Sequence, residues 1–295
     1  MTAGLALAPS RVGRLVRGLL DLAVGGVLCA TPVTSVLALG WIARWMASVH
    51  HGAARPAWVL GPRGAGRVVR LLGGLGANIA AGVRMLAGLA IWSLPFTLLW
   101  LGAWWAGWEN SFNKGYEQAT VGPAVFLAGT LVSLPLLTLL PHAVAHAAAT
   151  GRLGAFLALR RILHLARGAG GRGLVLAVLS VVAAVPLFGF TALPVFVEHI
   201  VPGFGNLPPA DQTRIGSHLH LAAAGYAFAA LWFLRHRAAR VCALERSPGR
   251  LSALWLILSG VVWAGLMVLI VVGQFMNYAP VRWITHPLYL LPWAG

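Results

Sequence analysis

Charged residues are scarce in this chain of 295 residues. Only 9% of the residues are charged, with 22 basic and 6 acidic side chains, whereas 59% are hydrophobic and the mean hydropathy is +0.81. A soluble surface needs roughly a quarter or more of charged residues. The scarcity excludes a disordered chain, a soluble enzyme and a soluble nucleic-acid-binding protein, the last in spite of a net charge of +16. We expect an integral membrane protein of the bacterial inner membrane, with no nucleic acid as a partner.

Lysine, cysteine and catalytic motifs are also rare or missing. The chain has a single lysine, Lys114, and two cysteines, Cys29 and Cys242, which are too few for a disulfide framework. We expect both cysteines to serve in packing. The sequence contains no phosphate-binding loop, dinucleotide fingerprint, HExxH zinc motif or nucleophile elbow. We therefore expect a protein that is not an enzyme.

Long apolar runs predict an all-α, polytopic transmembrane helix bundle. A helix needs about 20 largely apolar residues to cross about 30 Å of hydrocarbon, because each residue rises about 1.5 Å. Five runs meet this length, and we predict one span in each: 85–106, 122–149, 173–197, 217–234 and 251–276. These runs and the segment before them predict a single integral membrane domain over residues 1–295.

The N-terminal apolar run, 19–47, is long enough to cross but is broken at Pro32. Proline removes a backbone donor and clashes with the preceding turn, so the run is either a re-entrant hairpin or one kinked span, which would make six spans. It does not resemble a signal peptide, because Asp21 interrupts its apolar part. We favour the hairpin, since it places Arg14 and Arg17 on the same side as the other basic segments.

Connections rich in arginine alternate along the chain with connections that carry acidic residues. The connections 44–70, 152–172 and 235–250 are rich in arginine, whereas 109–117 and 198–214 carry four of the six acidic residues. Because basic connections stay in the cytoplasm, the pattern places the first three inside and the C-terminus outside.

Residues 152–167 predict an amphipathic cytoplasmic helix. Leucine, isoleucine and phenylalanine form one side, and arginines offer positive charge to lipid headgroups, each worth about 1 kcal/mol near an anionic leaflet. The candidate headgroup-binding residues are Arg152, Arg160, Arg161 and Arg167. Membrane lipids are therefore one expected partner.

Histidine is the one residue type that offers chemistry in quantity. His142 and His146 are four residues apart and share a helix face, which is the spacing of a metal or haem ligand pair. A second candidate, for a metal ion, lies where two predicted spans meet the outer surface: Glu198, His199, His218 and His220. The alternative, which we favour for both groups, is polar residues solvated at the interface.

A tract of small residues, 73–82, permits close approach to another helix. Together with the missing catalytic motifs, it favours a non-catalytic membrane subunit or scaffold that packs against other membrane-protein subunits. A histidine-ligated haem, pigment or metal carrier is one alternative. A small-solute transporter is the other, because Pro95, Pro135 and Pro186 interrupt predicted spans and such kinks can open a cavity.

Two stretches resemble an uncharacterised family of prokaryotic polytopic membrane proteins, domain of unknown function 4013. Residues 31–58 are similar to its Pro-containing turn, Gly-aromatic pair, basic residue and Pro-x-Trp ending; the matching residues are Pro32, Gly40, Trp41, Arg44, Gly52, Pro56 and Trp58. Residues 142–167 look like its Gly-Arg turn and basic helix. The resemblance covers residues 1 to about 200 and leaves a C-terminal two-span part, 201–295. It implies no reaction and no catalytic residues.

Overall fold

The structure, a computed structural model, describes residues 11–61, 66–113, 121–200 and 203–276. Within these ranges the chain is all-α, which confirms the predicted class. The helices are α1 (Arg11–Leu28), α2 (Pro32–His51), α3 (Arg67–Asn113), α4 (Val121–Thr150), α5 (Leu159–Ala169), α6 (Gly171–Ile200), α7 (Pro209–Ala243) and α8 (Ser252–Met276). Single 3-10 turns occupy Leu153–Leu157 and Phe204–Asn206.

Helices α1 and α2 form a hairpin that turns at residues 29–31. Thr31 caps α2 by accepting a hydrogen bond from the Thr34 amide at 3.3 Å, and proline follows at the first helical position, where it needs no donor. Asp21 and Trp41 lie equally far on either side of Thr31, and both contact Arg55. The chain therefore reverses direction between α1 and α2, and α1 packs more extensively on α7 than on α2.

The segment after α2 returns along the side of that helix and leads into α3. The amides of Gly61 and Gly74 donate to the carbonyls of Arg70 and Val59 at 2.7 and 2.9 Å, which ties the segment to the first turns of α3. Helix α3 crosses α2 at very short range, because a Cβ on Gly40 would collide with the Asn78 carbonyl. Much of the small-residue tract is thus used for packing inside the chain.

Helices α4 to α6 form the middle of the fold. Helix α4 packs on α3, and a bend of 95° separates α5 from α6 at Gly170, whose φ of 55° favours glycine. The amphipathic segment is confirmed in α5, where Ile162 and Leu165 are buried while Arg160 is exposed. It is not the single helix that we expected over 152–167, because a 3-10 turn precedes α5 and leaves Leu157 exposed.

Helix α7 connects the two halves of the fold. It packs against α1, α2 and α6, and α8 covers α6 and α4. The centre of the core is formed by large buried side chains: Trp41, Met46, Phe156, Ile162 and Phe228. Both cysteines are buried and free, as expected for packing residues.

The described residues contain two helical segments long and apolar enough to cross a membrane. These are Leu72–Trp92 and Pro209–Ala243, and the bent pair Leu159–Ala169 and Gly171–Pro186 makes three if it counts as one span. We expected five full spans with a hairpin, or six spans, so the number here is smaller. Leu134–Thr150 in α4 and Ser252–Leu266 in α8 are shorter apolar stretches within longer helices. The side chains in the remaining turns of α4 and α8, and residues 277–295 with the C-terminus, lie outside the described part.

Candidate functional site

A buried ion pair joins α1 to the segment that follows α2. The Arg55 guanidinium contacts the Asp21 carboxylate through Nη2 and Oδ2, and the two side chains are only 21% and 10% exposed. The other carboxylate oxygen of Asp21 accepts a hydrogen bond from the Trp58 indole at 2.7 Å. Asp21 is therefore bound from two sides by residues of one short segment.

Four tryptophans, Trp41, Trp45, Trp58 and Trp232, surround this ion pair and are called the tryptophan box below. Trp41 and Trp58 stack with ring centroids 4.5 Å apart and planes within 3°. The Arg55 guanidinium carbon lies 4.5 Å from the Trp45 ring centroid and 5.4 Å from that of Trp232. At these distances the negative ring faces attract the cation, which partly replaces its lost hydration.

Two further indole N–H groups of the box have acceptors. Trp41 donates to the Pro56 carbonyl at 3.1 Å, and Trp45 donates to His236 Nδ1 at 3.0 Å. Because an indole N–H can only donate, His236 Nδ1 must be the unprotonated nitrogen of its ring. The box therefore connects α2, the segment after it and α7.

Asn78 and Arg44 hold the same segment from the side of α3. Arg44 Nη1 donates to Asn78 Oδ1 at 2.8 Å and to the Gly74 carbonyl at 3.2 Å. Asn78 Nδ2 in turn donates to the Trp58 carbonyl at 2.8 Å. Since Asn78 is completely buried, these contacts satisfy polar groups that have no access to water.

Burial changes the acid-base behaviour of Arg55. It lowers the pKa of the guanidinium below the usual arginine value, and the positive charge of Arg17 lowers the pKa further. Arginine starts from such a high pKa that it stays charged under physiological conditions. The group can thus act as a fixed cation, and the arrangement supplies structure rather than a proton.

The histidines proposed as cofactor ligands lie in different surroundings. His142 is buried, and its Nδ1 is 3.5 Å from the sulfur of Cys242. His146 is half-buried on the same helix. Over the described residues, no group of three or more His, Cys, Asp or Glu side chains could hold a metal ion.

The outer candidate group is described only in part. His218 is exposed, and His220 Nε2 lies 2.7 Å from the Ala30 carbonyl in the α1–α2 turn. The side chains of Glu198 and His199 lie outside the described part of the chain. The contact of His220 with Ala30 places this end of α7 beside the tip of the hairpin.

The arginines proposed for headgroups differ in their contacts. Arg161 forms an ion pair with Glu245, in which the two side chains are 41% and 51% exposed. Arg152, Arg160 and Arg167 are exposed.

Sequence reasoning singled out Trp41, Arg44 and Trp58 as motif residues but missed the ion pair and Asn78. The sequence offered one sign of the ion pair: Asp21 is the only acidic residue among the first hundred residues, and it lies within an apolar run. A lone carboxylate in such a place needs a basic partner.

Apolar helices long enough to cross a membrane, packed around a buried polar centre, are consistent with the class of helical membrane proteins. The model of the family described as "Protein of unknown function (DUF4013)" matches residues 23–197, more than half of the chain. The chain belongs to this family. The match includes the tryptophans of α2, Arg55, Trp58 and Asn78, whereas Asp21 and Trp232 lie outside it. No curated protein and no solved structure shows significant similarity to the chain.

Proposed function

We propose that the chain is a non-catalytic membrane subunit, or scaffold, that packs against a helix of a partner membrane protein. The observation that carries the proposal is an exposed apolar stripe along α3. Its members follow helical spacing and are each between 45% and 55% exposed: Val69, Leu72, Ile79, Val83 and Leu94.

The exposed stripe on α3 is longer than the hydrocarbon layer of a membrane is thick. From Val69 to Leu94 it extends about 38 Å at about 1.5 Å per residue. The hydrocarbon layer is about 30 Å thick, and an average tilt of about 20° lengthens the path by only about 2 Å. The excess apolar surface supports a protein partner that covers it.

Glycine at the centre of the stripe suits a helix as that partner. A Cβ on Gly76 would meet no atom within 4 Å, whereas Gly74 and Gly82 on the other side of α3 are packed against Val59 and Val36. Small residues let two helices approach closely in a membrane, where packing rather than water exclusion drives association. The tract would thus serve α2 on one side and the partner on the other.

Within this proposal we retain five full spans and a re-entrant N-terminal hairpin in the inner membrane, with the basic connections in the cytoplasm. The Arg161–Glu245 ion pair supports this arrangement, since it joins two connections that we place on the same side. The contact of His220 with Ala30 supports it too, because both belong to the opposite end of the bundle. Impermeant thiol reagents should therefore label a cysteine at Arg250 and one at Gln212 from opposite sides of the membrane.

A photo-crosslinking experiment tests the partner. Benzoylphenylalanine introduced at Leu72 or Val83 should give a discrete protein adduct in native membranes. The same group at Val182 on α6, which is 60% exposed, should give none. Adducts with lipid alone at Leu72 and Val83 would contradict the proposal.

A matched pair of glycine variants sharpens the test. Gly76→Leu should abolish the adduct, because the larger side chain blocks close approach without a clash inside the chain. Gly265→Leu on α8, where a Cβ also meets nothing within 4 Å, should leave the adduct unchanged. A visible absorption band from the purified chain would favour the haem alternative, and solute uptake into vesicles would favour the transporter.

A further inference from the structure

A cavity of about 250 Å³ lies between α2, α3 and the end of α4. Its wall is mostly alanine and other apolar side chains, and the residues that line it include Ala47, Met85, Ala148 and Phe156. The volume is below the roughly 300 Å³ at which pockets enclose a drug-sized ligand. It can therefore hold a small group, such as a headgroup, but not a whole lipid.

Three arginines from three different parts of the chain line the same cavity: Arg44 of α2, Arg84 of α3 and Arg152 after α4. No acidic residue is among the lining residues. The ion pairs within the described ranges are Asp21–Arg55 and Arg161–Glu245, so no described carboxylate neutralises these three cations. The cavity is therefore positive and mostly apolar, which suits an anion carried on an apolar molecule.

Two of the three arginines are held in place by carbonyl groups. Arg44 Nη1 is fixed by Asn78 and Gly74, as described above. Arg84 donates through Nε to the Ala80 carbonyl at 3.1 Å and through Nη1 to the Gly151 carbonyl. Both guanidinium groups are thus oriented before any ligand arrives, which reduces the entropy lost on binding.

The floor of the cavity is equally well anchored. The Phe156 ring packs against Gly88 of α3, where no Cβ would fit, and the Phe156 carbonyl accepts a hydrogen bond from the Trp92 indole at 2.7 Å. The 3-10 turn that carries Phe156 is therefore fastened to α3. Arg152, which directly precedes this turn, is exposed at the cavity's rim.

We propose that this cavity binds the phosphate of an anionic phospholipid headgroup, held by Arg44, Arg84 and Arg152. Guanidinium groups match the geometry of phosphate oxygens and are weakly hydrated, so they suit a partly apolar site. The alanine wall receives the glycerol and the first methylenes of the chains. The site does not depend on the partner proposed for α3, because no residue of the exposed stripe lines the cavity.

The test is a lipid titration of the purified full-length chain in detergent, read by native mass spectrometry. The first molecule of phosphatidylglycerol should bind at least tenfold more tightly than phosphatidylcholine. Arg152→Gln should weaken that first binding about tenfold, the effect of losing one charged hydrogen bond. Arg240→Gln makes the same change in charge on an exposed residue of α7 outside the cavity and should leave the binding unchanged.

Two further measurements test whether the cavity itself holds the lipid and whether the bound phosphate belongs to a lipid. Ala47→Leu fills part of the cavity while keeping every arginine, and it should also weaken the first binding; circular dichroism melting verifies that each variant is folded. Glycerol 1-phosphate at millimolar concentration should not displace the lipid, and full displacement would overturn the lipid as the source of the phosphate. Equal losses in Arg152→Gln and Arg240→Gln, or no preference for phosphatidylglycerol, would overturn the site itself.

Discussion

Replacing Asp21 by asparagine should destabilise the fold because it leaves the Arg55 cation buried without its counter-charge. The substitution keeps the side-chain size and still offers an oxygen to the Trp58 indole, so it removes little besides the negative charge. The two side chains of the pair are 10% and 21% exposed. Breaking a buried pair on one side costs about 3–5 kcal/mol.

The expected loss is at the lower end of that range, about 3 kcal/mol, because the tryptophan box still attracts the cation. A loss of this size corresponds to a fall in Tm of roughly 6–12 °C for a chain of this size class. The measurement is thermal unfolding in detergent micelles, followed by circular dichroism. Asp211→Asn provides the control, since it makes the same change on an exposed residue and should cost less than about 1 kcal/mol.

A double-mutant cycle tests whether the loss of stability comes from an unpaired buried charge. Arg55→Met should also destabilise, whereas Asp21→Asn combined with Arg55→Met should cost clearly less than the two single losses together, because no unpaired charge remains. Additive losses would show that the two residues act independently. Losses below about 1 kcal/mol in both single variants would show that the pair is solvated, and either result would refute the account of the polar core.

Four further variants test other contacts of the fold. Gly40→Ala should cost at least about 1–3 kcal/mol, because its methyl group would collide with a backbone carbonyl of α3, whereas Gly76→Ala should gain about 0.5–1 kcal/mol from helix propensity. Asn78→Leu should cost about 1–3 kcal/mol for each buried group left without a partner. Arg161→Gln should change stability by less than about 1 kcal/mol, because its ion pair with Glu245 is half-exposed. The Tm in detergent checks all of them, and a Gly40→Ala variant as stable as Gly76→Ala would contradict the close crossing of α2 and α3.

The helical class and the approximate positions of the apolar segments were predictable because hydrocarbon imposes a length and a composition on any helix that crosses it. The ends of the helices were not predictable from composition. Helix α3 begins at Arg67, although apolar composition indicated a span only from 85. Residues 73–82 are rich in glycine, a weak helix former, yet they are helical because their glycines fit against Gly61, Val59 and Val36. Tertiary packing therefore keeps this segment helical in spite of its weak helix propensity.

The polar core was less predictable than the helices. Asp21 and Arg55 lie on different elements and meet only because the chain reverses at Pro32 and then folds back along α2. Hydrophobic periodicity contains no information about such a contact. The Pro-x-Trp ending was visible as a motif, but that its tryptophan stacks on Trp41 and binds Asp21 depends on the tertiary fold.

The polar core also explains why so apolar a chain keeps charges inside. Between helices in lipid, apolar packing does little to select one arrangement, because lipid tails are as apolar as leucine. The segment 53–61 could lie along α2 in several registers if only leucine and valine held it. Arg55 reaches a carboxylate in one register alone, and the Trp58 carbonyl meets Asn78 in that same register. We infer that the ion pair serves conformational specificity more than stability, so an apolar replacement of both partners should fold but lose the unique placement of this segment, measurable as faster hydrogen exchange at the amides of Gly61 and Gly74.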